Sequence, residues 1–300
     1  MIARKTIEEA MYGAMKRASV FMPPDVRHAL EKALVEETDP TAKLHLASSL
    51  ENADLAAEGA GLVCADTGFP IFFVKAGART AVEGGFETLK KAACSAVTLA
   101  TEQSLLRPTM VEPLQRTNPG NNVGPGMPDV KLEFSGPDDN LEITAIPKGG
   151  GSEIFGTFYR MLYPSDGMTG IKKFAVECIK NSCYAGKICP PAIIGIGIGG
   201  SADLCMQMAK NAAVLRRIAK HNPDPAIAAL ERELLDAARS LGIGPMGARG
   251  INAVIAVNIE TAATHTAALP VAFNAQCMVA RRWTALVTGG GKIEYTGEMP

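Results

Sequence analysis

The chain has 300 residues, 47% hydrophobic and 20% charged, the composition of a globular protein with a sizeable core. Its formal net charge is −1, so nothing general directs it to nucleic acid or to an anionic membrane, and any basic chemistry has to be local. No stretch reaches the roughly 18 uninterrupted apolar residues of a membrane span, and the N-terminus, with Arg4, Lys5, Glu8 and Glu9, lacks a signal peptide's apolar run. A cytoplasmic protein without nucleic-acid or membrane partners is expected. The seven cysteines are an odd number, so a disulfide framework is not predicted.

From Thr6 to about Glu58 the spacing is helical, with Ile7, Met11 and Met15 on one stripe and Val26, Ala29, Leu30, Ala33 and Leu34 on the next. A third helix follows Asp39-Pro40. The segment Cys64-Ala65-Asp66-Thr67-Gly68 is a tight turn, and the apolar run from Phe69 to Val74 is a strand. Residues 83–106 return to helix. The polar stretch Pro113–Pro128 is too long for an ordinary connection and reads as a functional loop. Val130–Phe134 and Leu141–Ile146 alternate like the arms of a β-hairpin. After it, Lys148 beside Gly149, Gly150 and Gly151 offers unobstructed backbone N–H groups and a positive charge, which suits a small anion.

Helices are predicted over 168–184, 202–221 and 225–241, and strands over 192–200, 251–259 and 269–273. The expected fold is mixed α/β (α+β): a helical N-terminal segment and a small mixed sheet with a β-hairpin, surrounded by helices. No repeat or linker interrupts it, so one domain over residues 1–285 is expected, followed by a surface tail, 286–300.

Gly195, Gly197 and Gly200 satisfy G-x-G-x-x-G between a strand and a helix, the context of a dinucleotide site. No second strand ending in an acidic residue follows, so tight strand–helix packing is the preferred reading and a nicotinamide-dependent oxidoreductase the weaker one. Cys94, Cys178, Cys183 and Cys205 lie within helical runs and read as core thiols. Cys64, Cys189 and Cys277 each lie at a glycine or proline turn beside a short strand, where a bend can aim a thiolate. Three thiolates would suit a cubane iron–sulfur cluster with one open iron, or alternatively zinc.

Taken together, 64–68, Lys148 through Glu153, Cys189-Pro190-Pro191 with Gly195 to Asp203, Thr264-His265, and Cys277 through Arg282 resemble the α subunit of the two-subunit class I iron–sulfur fumarases and L-tartrate dehydratases. The resemblance covers about residues 5–285 and implies a [4Fe-4S] cluster on Cys64, Cys189 and Cys277. It implies reversible hydration or dehydration of a hydroxy dicarboxylate of the fumarate/malate type, with L-tartrate or a bulkier hydroxy acid as alternatives. It further implies a separate β subunit, in an α2β2 assembly, that supplies the base. A non-catalytic iron–sulfur or scaffold subunit is the reading from another class.

By position, the resemblance gives Asp66 and His265 catalytic roles, and gives Asp66, Arg107, Lys148, Gly149, Gly150 and Gly151 roles in substrate binding. The plainer readings are a turn histidine at 265 and a helix C-terminal charge at 107, and Arg281 and Arg282 read as structural or interface residues. The chain departs from the fumarase pattern at Ala65, where those enzymes usually carry glutamine, at Ile154, and at Ala248-Arg249-Gly250-Ile251-Asn252. Ala65 and Ile154 predict room for an acid larger or less polar than malate.

Overall fold

The computed structural model describes residues 1–298; of the expected tail, residues 299 and 300 lie outside the described residues. In chain order the elements are α1 (Arg4–Val20), α2 (Pro24–Glu36), α3 (Pro40–Ala57), β1 (Phe69–Ala76), α4 (Thr88–Glu102), β2 (Asp129–Phe134) and β3 (Leu141–Lys148). Then come α5 (Gly150–Phe155), β4 (Thr157–Leu162), α6 (Gly167–Cys183), β5 (Ala192–Gly199), α7 (Ala202–Leu215), α8 (Pro225–Arg239), β6 (Val254–Ala262), β7 (Leu269–Gln276), β8 (Trp283–Val287) and β9 (Ile293–Thr296). The class is mixed α/β, as expected. The helix after Ser201 ends at Leu215, short of the expected 221, because Arg216 turns to bond Glu231 at 2.7 Å and the Ile259 carbonyl at 3.1 Å.

Where the sequence reads as a single domain, the chain divides into two compact units. Unit 1 holds Met1–Pro24, Asn52–Gly150 and the segment from Arg281 onward; unit 2 holds Asp25–Glu51 and Gly151–Ala280.

Unit 1 is built on a five-stranded sheet of order β2-β1-β3-β8-β9. Alternate residues of β1 and β3 (Phe72, Val74, Ile143, Ala145) share one core with Ile7, Met11 and Met15 of α1 and with the alanine-rich face of α4. The expected hairpin does not form: β2 runs parallel to β1, β3 runs antiparallel to it, and β1 lies between them. β1 is buried along almost its whole length and takes a neighbour on each edge. The 135–140 connection crosses the end of β1, with Ala78 N–H donating to the Gly136 carbonyl and Gly77 N–H to the Asn140 carbonyl, each at 3.0 Å.

Part of the segment expected as a tail pairs into the sheet. β8 pairs with β3, and β9 closes the sheet edge through antiparallel pairing with β8. Tyr295 holds it down: its ring lies 3.8 Å from the Arg17 guanidinium, and its hydroxyl donates to the Glu9 carbonyl at 3.1 Å. Gly13 leaves the room, since a Cβ there would stand 2.1 Å from the Tyr295 hydroxyl. The glycines at 289–291 obscured this strand by breaking the apolar pattern.

Unit 2 carries a four-stranded sheet of order β4-β7-β5-β6, in which β5 is parallel to β6 and antiparallel to β7. The edge strand β4 was not foreseen from the sequence. One sheet face buries Ile194, Ile196 and Phe273 against Phe174 and Ile179 of α6 and Leu230 and Leu234 of α8. The other face receives α7. A Cβ at Gly195 would stand 2.0 Å from the Ala209 carbonyl, and one at Gly197 would stand 2.1 Å from that of Cys205. The glycines therefore let α7 lie directly on β5, and Asp203 of this chain serves the helix N-terminus, bonded to Ser201 at 2.5 Å.

Alanine at Gly195 or Gly197 forces backbone apart and is expected to cost about 1–3 kcal/mol or more. Gly61→Ala, where a Cβ meets nothing within 4 Å, is the control and stays within about 0.5 kcal/mol of the parent. Denaturant unfolding measures both.

Candidate active site

The antiparallel pairing of β5 and β7 sets Ile193 opposite Gln276. Cys189 lies just before β5 and Cys277 just after β7, so two thiols 88 positions apart in sequence come to one end of the sheet. The Met278 N–H donates to the Cys189 carbonyl at 3.1 Å and ties the two segments together. Cys189 is exposed and Cys277 is 7% exposed.

Cys189 holds an unusual backbone, with φ at +53°. A non-glycine residue there is strained and persists only when its surroundings over-determine it. Its N–H donates to the Gly186 carbonyl at 2.9 Å, and the next carbonyl, that of Pro190, accepts from Met246 N–H at 2.7 Å. The loop carrying Met246 lies tightly on the cysteine segment: a Cβ at Gly186 would stand 2.5 Å from the Met246 carbonyl, and one at Gly247 would stand 2.2 Å from the Gly186 nitrogen.

That loop ends on a buried carboxylate. Glu37, 2% exposed, accepts from the backbone of Thr38 at 2.8 Å, Ile251 at 3.2 Å and Asn252 at 3.1 Å, and from the Asn252 side chain at 3.0 Å. Burial pushes its pKa up, but these hydrogen bonds outweigh burial and hold the carboxyl below the usual glutamate range. A depressed folded pKa contributes stability that is present above the unfolded value and is lost as pH falls through the folded one. The stability gap between the parent and Glu37→Gln, measured by urea unfolding, is therefore expected to be widest at neutral pH and to close below about pH 4.

Unit 1 contributes the other candidates. Asp66 is exposed, and its Oδ2 accepts the Gly150 N–H at 2.6 Å. The glycine run, read as an anion cradle, thus holds this chain's own carboxylate. A Cβ at Gly68, where φ is +68°, would stand 1.9 Å from the carbonyl of Lys148, a residue fully buried at the end of β3. Arg107 is exposed, and its Nη1 donates to the Ala65 carbonyl at 3.4 Å.

Two residues to which the sequence assigns no role organise this corner. Thr67, fully buried, accepts the Arg107 N–H at 2.8 Å. Asn122, 1% exposed, accepts from Thr109 and Met110 and donates to the Arg107 carbonyl at 2.8 Å. Together they fasten the segment from 107 to 122, which leads into and overlaps the stretch Pro113–Pro128 expected to be a functional loop. Thr67 belongs to the 64–68 motif without a role assigned to it there, and for Asn122 only the loop's length was a signal.

His265 is placed differently. It lies between β6 and β7, beside Gly200 at the C-terminal end of β5, where Thr264 donates to the Gly200 carbonyl at 3.0 Å and His265 Nδ1 accepts the Ala267 N–H at 3.1 Å. Cys189 and Cys277 lie at the opposite end of the same sheet, about 20–25 Å away along an eight-residue strand.

The helical cysteines separate cleanly from those at turns. Burial pushes the thiols of Cys178 and Cys183 up to about 12, that of Cys205 up to about 11, and that of Cys94 upward. Cys205 donates to the Gly197 carbonyl at 3.2 Å, and Cys183 donates to that of Ala253 at 3.6 Å. Cys178, Cys183 and Cys205 are buried core thiols, whereas Cys94 is half-buried.

Among the described residues, no group of three or more His, Cys, Asp or Glu side chains is gathered closely enough to hold a metal ion. A different feature bears on an anionic group. The Cys277 carbonyl accepts from Ala280 at 3.0 Å in a turn. The next residue, Arg281, is 1% exposed, and its Nε and Nη2 find no hydrogen-bond partner among the described residues.

The chain matches the family described as Fumarate hydratase (Fumerase) over residues 8–286. It is 42% identical over 280 residues to a Methanocaldococcus jannaschii protein assigned as an L(+)-tartrate dehydratase subunit alpha, covering 92% of this chain and 95% of that one. It is 35% identical over 269 residues to the L(+)-tartrate dehydratase subunit alpha of Escherichia coli K12, covering 90% and 86%. The Shigella sonnei protein of the same name matches to the same extent. The class defined is a hydro-lyase, an enzyme that adds water to, or removes it from, a carbon–carbon bond. Within that class the chain belongs to the fumarate hydratase family, whose members named as tartrate dehydratase α subunits are among its relatives.

Proposed function

We propose that the chain is the α subunit of a two-subunit hydro-lyase acting on a hydroxy dicarboxylate, with Cys64, Cys189 and Cys277 as the ligands of a [4Fe-4S] cluster. The observation that carries this reading is the meeting of Cys189 and Cys277 at one sheet end, while Cys178, Cys183 and Cys205 are buried as thiols whose pKa burial raises. Three soft sulfur donors on turns suit such a cluster. The buried Nε and Nη2 of Arg281, without a hydrogen-bond partner among the described residues, support it further, because an anionic inorganic group would satisfy them. When bound, the cluster supplies an open iron that acts as a Lewis acid toward a hydroxyl and a carboxylate.

The chain's own groups bind and orient the substrate. The exposed fork of Arg107 suits bidentate capture of a carboxylate, and Lys148 with Gly149, Gly150 and Gly151 adds positive potential. Asp66, fastened to Gly150, stands next but one to Cys64 and is aimed by that bond. The base that removes the carbon-bound proton is assigned to a β subunit, in keeping with the α-subunit names of the relatives. His265, at the far end of the sheet of unit 2, is left out of this group. The assembly is α2β2 and works in the cytoplasm, where thiols stay reduced.

For the substrate, the names of the relatives favour L(+)-tartrate over malate. Ala65 agrees, since alanine in place of a glutamine amide opens space for an acid with a second hydroxyl. The complex co-purified with its β subunit is expected to turn over L(+)-tartrate with a kcat/KM at least about tenfold above that for malate, one methyl-scale pocket difference being worth about that much. A preference for malate or fumarate overturns this assignment.

The ligand assignment has its own test. Cys189→Ala, purified anaerobically, is expected to lose the brown colour and the bound iron, whereas Cys205→Ala keeps both. An intact cluster in Cys189→Ala refutes it.

A further inference from the structure

The strained backbone of Cys189 needs an explanation that reaches beyond its own loop. A residue at φ +53° relaxes unless it is clamped, and three hydrogen bonds clamp this one: Cys189 N–H to Gly186, Met278 N–H to Cys189, and Met246 N–H to Pro190. The first two come from the cysteine segment and from its neighbour after β7. The third comes from the loop 244–250, which carries a single 3-10 turn over Pro245–Gly247 and is strained within it, with Met246 at φ +54°.

What holds that loop is Glu37. Its N–H donates to the Ala33 carbonyl at 2.8 Å, so the residue finishes the last turn of α2. Its carboxylate accepts from Ile251 and Asn252 at the loop's far end. Gly250, at φ +151°, brings the backbone onto the carboxylate, and a Cβ there would stand 2.7 Å from Glu37 Oε1. At the loop's near end the Gly244 N–H donates to the Ala248 carbonyl at 2.7 Å, so displacement of 249–252 passes directly to Met246. Every link in this chain lies in unit 2.

We infer that Glu37 is a positioning residue for Cys189, 152 positions away: its buried carboxylate seats the 244–250 loop, and that loop holds the thiol's backbone in the conformation that points it from the sheet end. An acceptor-only group is needed there. Among the described residues, the hydrogen-bond partners of the carboxylate are N–H donors of Thr38, Asp39, Ile251 and Asn252, and glutamine would turn an NH2 toward some of them. Iron loading depends on the cluster reading above; the orientation of the thiol does not, so the two fail separately.

The test is the alkylation rate of individual cysteines in the full-length chain after iron is removed with a chelator, followed by mass spectrometry with iodoacetamide as probe. In Glu37→Gln the ratio of Cys189 to Cys277 labelling is expected to change by about five-fold or more. In Glu36→Gln, which loses the Arg239 ion pair on the same helix end but touches no part of the loop, the ratio is expected to stay at the parent value. Should Glu37→Gln fail to fold, Asn252→Ala removes one of the donors from the same carboxylate and is expected to shift the ratio in the same direction. An unchanged ratio in a folded Glu37→Gln or Asn252→Ala protein, or an equal change in Glu36→Gln, overturns the inference. Iron bound per chain after anaerobic reconstitution is the second readout, and it is expected to fall in Glu37→Gln and not in Glu36→Gln.

Discussion

The register of β5 against β7 is the constraint on which the cysteine end of unit 2 depends. With Ile193 opposite Gln276, the residues before one strand and after the other have to meet. A one-residue slip would turn Ile194, Ile196 and Phe273 out of the core they share with α6 and α8, so burial enforces the register strongly. The glycines at 195 and 197 belong to the same constraint from the opposite face. They let α7 lie on the strand closely enough for Cys205 to bond the Gly197 carbonyl.

The two loops that finish the sheet end are irregular, and irregular backbone has to be satisfied group by group. Around Cys189 this is done by the 244–250 loop, and the 244–250 loop is in turn held by a carboxylate from α2. In unit 1 the equivalent service is done by Thr67 and Asn122 around Arg107, and by Asp66 on the Gly150 N–H. Both corners use a side-chain acceptor to replace a secondary-structure partner that the loop cannot have.

Much of this was legible in the sequence. The helices announced themselves by spacing, β5 and β7 by apolar runs, and the division of the cysteines by whether each fell in a helix or at a turn. What was hidden depended on pairing across long separations. The strands β2 and β3 alternate like a hairpin, yet β1, buried nearly throughout, takes the place between them. β9 was masked by a glycine run, and its anchor, Tyr295 over Arg17, joins residues 278 positions apart. Glu37 carried no motif at all, and only its burial among N–H donors marks it. His265 fits the family by position, and the strand order of unit 2 places it a strand's length from Cys189 and Cys277.

A central claim stands behind these assignments: that Cys64, Cys189 and Cys277 hold a four-iron cluster whose fourth iron is open to the hydroxy acid. Mössbauer spectroscopy of the 57Fe-labelled α chain, purified anaerobically with its β subunit, addresses it most directly. The account predicts about four irons per chain, one of which shifts alone when L(+)-tartrate is added. A mononuclear metal, or a four-iron spectrum that does not change with any hydroxy dicarboxylate, would contradict it.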